Sequence, residues 1–185
     1  GVITLKNHNN FQHLDTEDFS SIKFFVHPIS ISMDYLEKNY NFKNYHMIGL
    51  SGGAWVTTLY SAIDDRILKS YAVSGPLPRF LTVNVYGNEG DYELNNSSLY
   101  NKVNYLELFI MSSFGNDRLH MKIMNKYDPC CYYGVTYQTF EKNIQDKMAE
   151  LDNGTFKIHL DTTNKKHTIS NESMNLILSS LSNKS

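Results

Sequence analysis

The chain has 185 residues, a length that fits one domain with a continuous hydrophobic core. A net charge of -2 and a pI near 6.4 offer no basic surface for nucleic acid, and no run of about 18 apolar residues is present to span a membrane. The two cysteines, Cys130 and Cys131, are adjacent and cannot close an ordinary disulfide loop. We therefore expect a single domain, residues 1-185, that does not rely on disulfides.

The first predicted elements are a polar loop and a helix. Residues 2–5 could form a short strand, and the loop after them carries His8 and His13. No third ligand is spaced to join these histidines in a metal site, so we interpret them as solvated. Residues 24–40 carry apolar side chains at helical spacing, and Pro28 suits the first turn of that helix.

Ser51 separates a predicted strand, residues 45–50, from a predicted helix, residues 52–64. The five residues centred on this serine read G-L-S-G-G, which is the G-x-S-x-G pattern of a nucleophile elbow. We expect Gly49 and Gly53 to be required by sterics, because a Cβ at either position would collide with neighbouring backbone.

The remaining predicted elements alternate as in a parallel sheet with helical crossovers. They are a strand over residues 67–74, a loop or cap excursion over 79–104, a helix over 104–113 with strand as the alternative, a strand over 119–125, a helix over 140–151, a strand over 155–160 and a helix over 170–181. In the excursion, Tyr86, Tyr92 and Tyr100 either line a pocket or lie on the surface. The predicted fold class is α/β, with a mostly parallel sheet flanked by helices.

Three polar residues each follow the end of a different predicted strand: Ser51, Asp128 and His167. The carboxyl ends of parallel strands lie at one edge of a sheet, so we expect these side chains to converge. Asp117 and Asp161 are the alternatives for the acid, and Asp117 becomes the better one if the segment before it is a strand.

These residue types have the chemistry of a serine hydrolase. A serine hydroxyl needs a base to remove its proton as it attacks, and the imidazole of His167 is suited to that task. The carboxylate of Asp128 would orient the imidazole and stabilise its charged form. The backbone N–H of Gly52, at the start of a helix, would stabilise the oxyanion. This mechanism calls for no cofactor and no metal ion.

The order of serine, acid and histidine resembles that of an α/β-hydrolase. The likeness is carried by residues 47–53, by residues 125–128 and by the loop bearing His167. The chain is also similar to a poorly characterised bacterial group of these hydrolases that has an Asp-x-Cys-Cys element, here residues 128–131, and a His-x-Ile-Ser element, here residues 167–170. The resemblance implies the fold and the three catalytic residues, and it specifies the substrate poorly.

The first part of the sequence departs from the α/β-hydrolase pattern. That fold has several strands before the segment at residue 24, and the loop after its third strand supplies the second oxyanion donor. Only residues 2–5 could represent this half. We favour a fold that is incomplete at its N-terminus over a complete fold with fewer strands. In the incomplete fold a sheet edge is exposed, and we expect self-association through it.

We predict a serine hydrolase that cleaves an ester or related acyl bond of a small-molecule substrate through an acyl-serine intermediate. A peptidase would use the same chemistry. The alternative is an inactive partial module with a binding or structural role. The location is open, with a slight preference for the cytoplasm. Cys130 and Cys131 either pack beneath the acid loop or are redox-active, including as a vicinal disulfide.

Overall fold

Four parallel strands flanked by helices form the fold in a computed structural model, which describes residues 2, 4–86 and 90–182. The strands lie in the sheet in chain order, as β1 Tyr45–Leu50, β2 Ile67–Val73, β3 Leu119–Asn125 and β4 Thr155–Asp161. The helices are α1 Lys23–Asn39, α2 Gly52–Ile63, α3 Arg79–Asn84, α4 Ser97–Tyr100, α5 Tyr105–Ser113, α6 Glu141–Leu151 and α7 Asn171–Ser182. Short 3-10 helices cover His8–Leu14, Tyr92–Leu94 and Thr136–Thr139. The predicted fold class is confirmed.

The strand register brings the carboxyl ends of the strands level. Leu50 pairs with Val73, and Val73 pairs with Ile123. At the far side of the sheet, Asn125 pairs with Asp161. The segments that follow β1, β3 and β4 therefore leave the sheet from the same edge.

The two larger hydrophobic clusters of the described residues pack against the sheet. One is built from α2, α5 and α6 and contains Trp55, Phe109 and Ile144. The other contains Tyr71 of β2 and Ile177 of α7. Trp55 is a core residue, with only 1% of its surface exposed. Burial of this side chain anchors α2, and with it the turn at Ser51.

The N-terminal part differs from the prediction at two places. Helix α1 begins at Lys23, so Pro28 lies inside the helix instead of in its first turn. The rings of Phe25 and Trp55 pack edge-on, with 5.2 Å between their centroids. This tertiary contact favours a helix that begins before Pro28. Residues 2, 4 and 5 are not in a strand, and residue 3 lies outside the described residues.

The predicted excursion contains short helical segments instead of irregular chain, namely α3, the 3-10 helix at Tyr92–Leu94 and α4. Residues 87–89 of it lie outside the described residues. The segment after it is the helix α5, as predicted, and not the alternative strand. Asn104 accepts a hydrogen bond from the N–H of Glu107, whose carboxylate accepts one from the N–H of Asn104. This reciprocal capping specifies a helix start.

None of the helices in the described part of the chain combines the length and the apolar character that crossing a bilayer requires.

Candidate active site

Ser51 occupies a sharp turn between β1 and α2. Its backbone has φ 57° and ψ -120°, a conformation that non-glycine residues rarely adopt. The Ser51 N–H donates to the carbonyl of Val73 at 2.9 Å, and the Ser51 carbonyl accepts from the N–H of Ala54 at 2.9 Å. Ser51 therefore lies in a turn between a strand and a helix, which is the structural context expected for the G-x-S-x-G pattern of a nucleophile elbow.

The two glycines around Ser51 differ in their steric freedom. A Cβ on Gly49 would lie 2.1 Å from the carbonyl oxygen of Gly53 and 2.5 Å from Oγ1 of Thr57. A Cβ on Gly53 would meet nothing within 4 Å. The predicted collision is thus present at Gly49, whereas the prediction for Gly53 was wrong, because Gly53 lies on the exposed side of the first turn of α2.

The start of α2 presents backbone donors to solvent. Gly52 and Gly53 are exposed, and N–H groups in the first turn of a helix have no acceptor within that helix. Helix α2 has 12 residues, so the positive end of its dipole also lies here. A negatively charged oxygen beside Ser51 would be stabilised at this position.

Asp128 and His167 are joined by a hydrogen bond. Nδ1 of His167 lies 2.8 Å from Oδ2 and 3.1 Å from Oδ1 of Asp128. The Asp128 side chain is fully buried, and that of His167 is 25% exposed. Burial alone would raise the pKa of Asp128, but the N–H of Cys130 and the His167 imidazole hold this pKa below its usual value. The acid is therefore a carboxylate at neutral pH, oriented on the ring.

Two buried asparagines hold the backbone on either side of His167. The side-chain amide of Asn125 donates to the carbonyl of Thr168 at 3.0 Å and to that of Lys166 at 3.5 Å. The amide of Asn164 donates to the Thr168 carbonyl at 2.7 Å. Sequence analysis assigned neither residue a role. The sequence offered one signal for Asn125, a polar side chain at the end of a buried strand, and none for Asn164 in the loop after β4.

Asp161 and Asp117, the alternative acids, have other positions. The buried Asp161 carboxylate accepts hydrogen bonds from Thr163, Asn164, Ser170 and Ser173. These bonds more than offset the effect of burial and lower the pKa of Asp161 far below its usual value. Asp117 precedes β3 and so lies at the opposite edge of the sheet. Among the three acids, Asp128 is the one that binds the His167 ring.

Ser51 is not hydrogen-bonded to His167 in this conformation. Within the described part of the chain, its hydroxyl has no hydrogen-bond partner. In enzymes without substrate, catalytic hydrogen bonds are often long and tighten only in the substrate complex. The structure thus joins the acid to the histidine, and it places the serine at the same edge of the sheet.

A second serine–histidine pair lies in the core. Oγ of Ser70 is 2.7 Å from Nδ1 of His120, and both residues are buried. Burial lowers the pKa of His120 to about 3, with a further contribution from the charge of Lys122. No substrate can reach this pair, so we assign it a structural role.

Among the residues that the structure describes, two groups of side chains have the chemistry and the spacing of metal ligands. One is His8 with Asp91 and Glu93, and the other is Cys130 and Cys131 with His167. Nδ1 of His8 lies 2.6 Å from the carboxylate of buried Glu93. The prediction of a solvated His8 was therefore incomplete, because its partner comes from a distant part of the chain.

The predicted pocket tyrosines have separate roles. Tyr86 hydrogen-bonds to Thr136 and Tyr92 to Asp15. Tyr100 accepts a hydrogen bond from Trp55 and lines a cavity of about 360 Å³. The other residues that line this cavity are Pro78, Arg79, Phe80, Leu94, Asn104, Tyr105 and Leu106.

Comparison with known proteins finds similarity in structure and not in sequence. No protein-family model and no curated protein matches the chain. An acylaminoacyl peptidase solved with a chloromethyl ketone matches with a TM-score of 0.59 at 12% identity, over 86% of this chain and 27% of its own. An esterase of Pyrococcus furiosus matches with a TM-score of 0.57 at 18% identity, over 86% of this chain and 60% of its own.

Est1E of Butyrivibrio proteoclasticus matches with a TM-score of 0.56 at 13% identity, over 90% of this chain and 72% of its own. The chain thus spans about a quarter of the peptidase and about three fifths of the Pyrococcus esterase. The likeness to one bacterial group of hydrolases stays a prediction. What the comparisons show is that this chain has the α/β-hydrolase fold.

Proposed function

We propose that the protein is a serine hydrolase that cleaves an ester or related acyl bond of a small-molecule substrate. Ser51 attacks the acyl carbon, and His167 accepts the serine proton and later returns a proton to the leaving group. Asp128 orients the ring of His167 through Nδ1, which leaves Nε2 for the serine. The N–H of Gly52 binds the oxyanion as the tetrahedral intermediate forms.

The 2.8 Å hydrogen bond between buried Asp128 and His167 carries this proposal. It gives the ring a fixed orientation and a carboxylate that compensates the imidazolium. The left-handed backbone of Ser51, at the same edge of the sheet, supports the assignment of the nucleophile. The names of the structural neighbours, which are esterases and a peptidase, are consistent with acyl transfer.

The test is covalent labelling with a fluorophosphonate probe, followed by hydrolysis of short-chain and long-chain chromogenic esters. We expect the wild-type chain to be labelled at Ser51, and expect Ser51→Ala to abolish labelling while the variant keeps its thermal unfolding midpoint. Ser70→Ala is the matched control, because Ser70 also lies beside a histidine but is sealed in the core. Equal labelling of wild type and Ser51→Ala would refute the assignment.

Failure of the folded wild-type chain to be labelled or to cleave any ester would favour the alternative, an inactive module with a binding role. A chain extended at its N-terminus, where the gene encodes such an extension, separates the two possibilities, because in α/β-hydrolases the loop after the third strand supplies a second oxyanion donor. We expect the extended chain to react faster than the 185-residue chain.

A further inference from the structure

Two thiols lie beside the Asp128–His167 pair and have no part in the proposed reaction. Sγ of Cys130 and Sγ of Cys131 are 2.7 Å apart, and both cysteines are free. A ring nitrogen of His167 and the two sulfur atoms all lie within 4.8 Å of one another. Cys130 is exposed, so the expectation that both thiols pack beneath the loop is not met.

The geometry of the two sulfurs favours a disulfide over a metal ion. A tetrahedral Zn²⁺ with Zn–S bonds of about 2.3 Å would hold its sulfurs about 3.8 Å apart. The observed separation of 2.7 Å is closer to the disulfide bond length of about 2.05 Å.

The segment that carries these thiols also holds the acid. The N–H of Cys130 donates to Oδ1 of Asp128 at 2.8 Å. On the other side of the pair, Tyr132 is buried with φ 57°, and the N–H of Gly134 donates to the carbonyl of Lys126 at 3.1 Å. The backbone is therefore held on both sides of the pair, and a bond between the two sulfurs would close a small ring that constrains the single peptide unit joining Cys130 to Cys131.

We propose that Cys130 and Cys131 form a reversible oxidation site for low-molecular-weight disulfides, and that its oxidation weakens the hold of Asp128 on His167. The thiolate of exposed Cys130 attacks one sulfur of the small disulfide, which forms a mixed disulfide and releases one small thiol. Cys131 then loses its proton and attacks Sγ of Cys130, which releases the second small thiol. Two protein thiols are oxidised, and one small disulfide is reduced to two thiols.

The first test is a count of thiols after equilibration with oxidised and reduced glutathione, read together with the intact mass. We expect the wild-type chain to lose both thiols without a glutathione adduct. Cys131→Ser should instead keep glutathione on Cys130, and Cys130→Ser should stay largely unmodified because Cys131 is shielded. A wild type that keeps two free thiols, or that accumulates an adduct, overturns the proposal. Stoichiometric Zn²⁺ that protects both thiols would also overturn it, in favour of a metal site.

The second test measures the effect of oxidation on the active site. We expect the NMR signals of the His167 ring to differ between the oxidised and the reduced chain, and expect labelling by the fluorophosphonate probe to slow at least about tenfold on oxidation. A variant with both cysteines changed to alanine should be insensitive to glutathione disulfide. Unchanged ring signals and an unchanged labelling rate would refute the coupling. If neither form is labelled, the proposed function fails, while the thiol count and the ring signals still decide this inference.

Discussion

At the scale of single residues, the two glycines of the G-x-S-x-G motif differ in whether a side chain would fit: there is no room for one at Gly49, and there is room at Gly53. Gly49 faces the carbonyl of Gly53 on the first turn of α2, whereas the Cα of Gly53 faces open space. Strand β1 and helix α2 can therefore approach closely only where the first glycine lies. The second glycine leaves access to the backbone N–H groups near Ser51.

We expect Gly49→Ala to lower the free energy of unfolding by about 3 kcal/mol or more, because the added methyl collides with backbone that cannot move independently. Gly53→Ala should stay within about 1 kcal/mol of wild type, since the new Cβ meets no atom and alanine favours a helix. Urea unfolding of both variants measures the difference. Equal losses of stability would contradict the steric assignment.

The acids Asp128 and Asp161 are both buried and near the His167 loop, but they have different partners. We expect Asp128→Asn to reduce ester hydrolysis about 10⁴-fold, because an amide no longer fixes the charged ring. Asp161→Asn should instead lower stability by about 2 kcal/mol or more, because it disturbs hydrogen bonds from four residues. Steady-state rates and unfolding midpoints separate these outcomes. A larger loss of activity in a folded Asp161→Asn variant would identify Asp161 as the functional acid.

At the scale of elements, β3 is a central strand with two basic side chains in the core. All seven of its residues are buried, including His120 and Lys122. The ammonium group of Lys122 donates to the carbonyls of Gly75 at 3.0 Å and Pro76 at 2.6 Å, which fixes the loop after β2. Burial lowers the pKa of Lys122 to about 7 and that of His120 to about 3. Strand β3 therefore makes stability depend on pH.

His120 should make the fold less stable in acid. Unfolded, its imidazole binds a proton near pH 6.5, whereas in the fold it does so only near pH 3. The unfolded chain thus binds more protons in this range, and the free energy of unfolding should fall by roughly 1.4 kcal/mol per pH unit between these values. We expect His120→Gln to reduce this slope in urea titrations at pH 4 to 6.5, although the variant is less stable at pH 7.

His8 provides the control for this titration. Its hydrogen bond to Glu93 raises its pKa, so its contribution to stability is present below pH 6.5 and is lost as the pH rises through its folded-state pKa. His8→Gln should therefore lower the free energy of unfolding by a nearly constant amount below pH 6.5 and leave the slope in acid unchanged. Identical slopes for wild type and His120→Gln would show that the buried imidazole does not control acid unfolding.

At the scale of the whole molecule, the sheet ends at β1, which has no strand on its outer side in the described part of the chain. Strand β1 pairs only with β2 there, and Ile48 on β1 is 40% exposed. Tyr40 and Phe42, in the segment that leads into β1, are 50% and 55% exposed. An unpaired strand beside exposed aromatic side chains is a surface on which a second strand can add.

We expect the 185-residue chain to self-associate in a concentration-dependent way through β1. Ile48→Lys should weaken this association, because a charge on an edge strand opposes pairing. Leu178→Lys on α7, where Leu178 is 53% exposed, adds the same charge away from the edge and should leave the association unchanged. Sedimentation equilibrium measures all three chains. A monomeric wild type, or equal effects of both lysines, would argue against this edge.

The sequence by itself determined the order of strands and helices, the turn at Ser51 and the choice of Ser51, Asp128 and His167 as candidates. These inferences depend on local periodicity and on the rule that parallel strands end at one edge. Both are properties of short segments, and the sequence displays them directly. The early start of α1 escaped prediction because it depends on a contact between Phe25 and Trp55.

The tertiary structure decided which acid binds His167, since Asp128 lies just after β3 and Asp161 is the last residue of β4, and the sequence does not show which carboxylate meets the ring. It also decided the roles of Asn125 and Asn164, because hydrogen bonds to a distant loop leave no periodic signal. The freedom of Gly53 and the position of the two thiols beside His167 depend likewise on which atoms meet across the fold. Contacts between segments far apart in the chain are specified by packing, and for that reason only the folded molecule displays them.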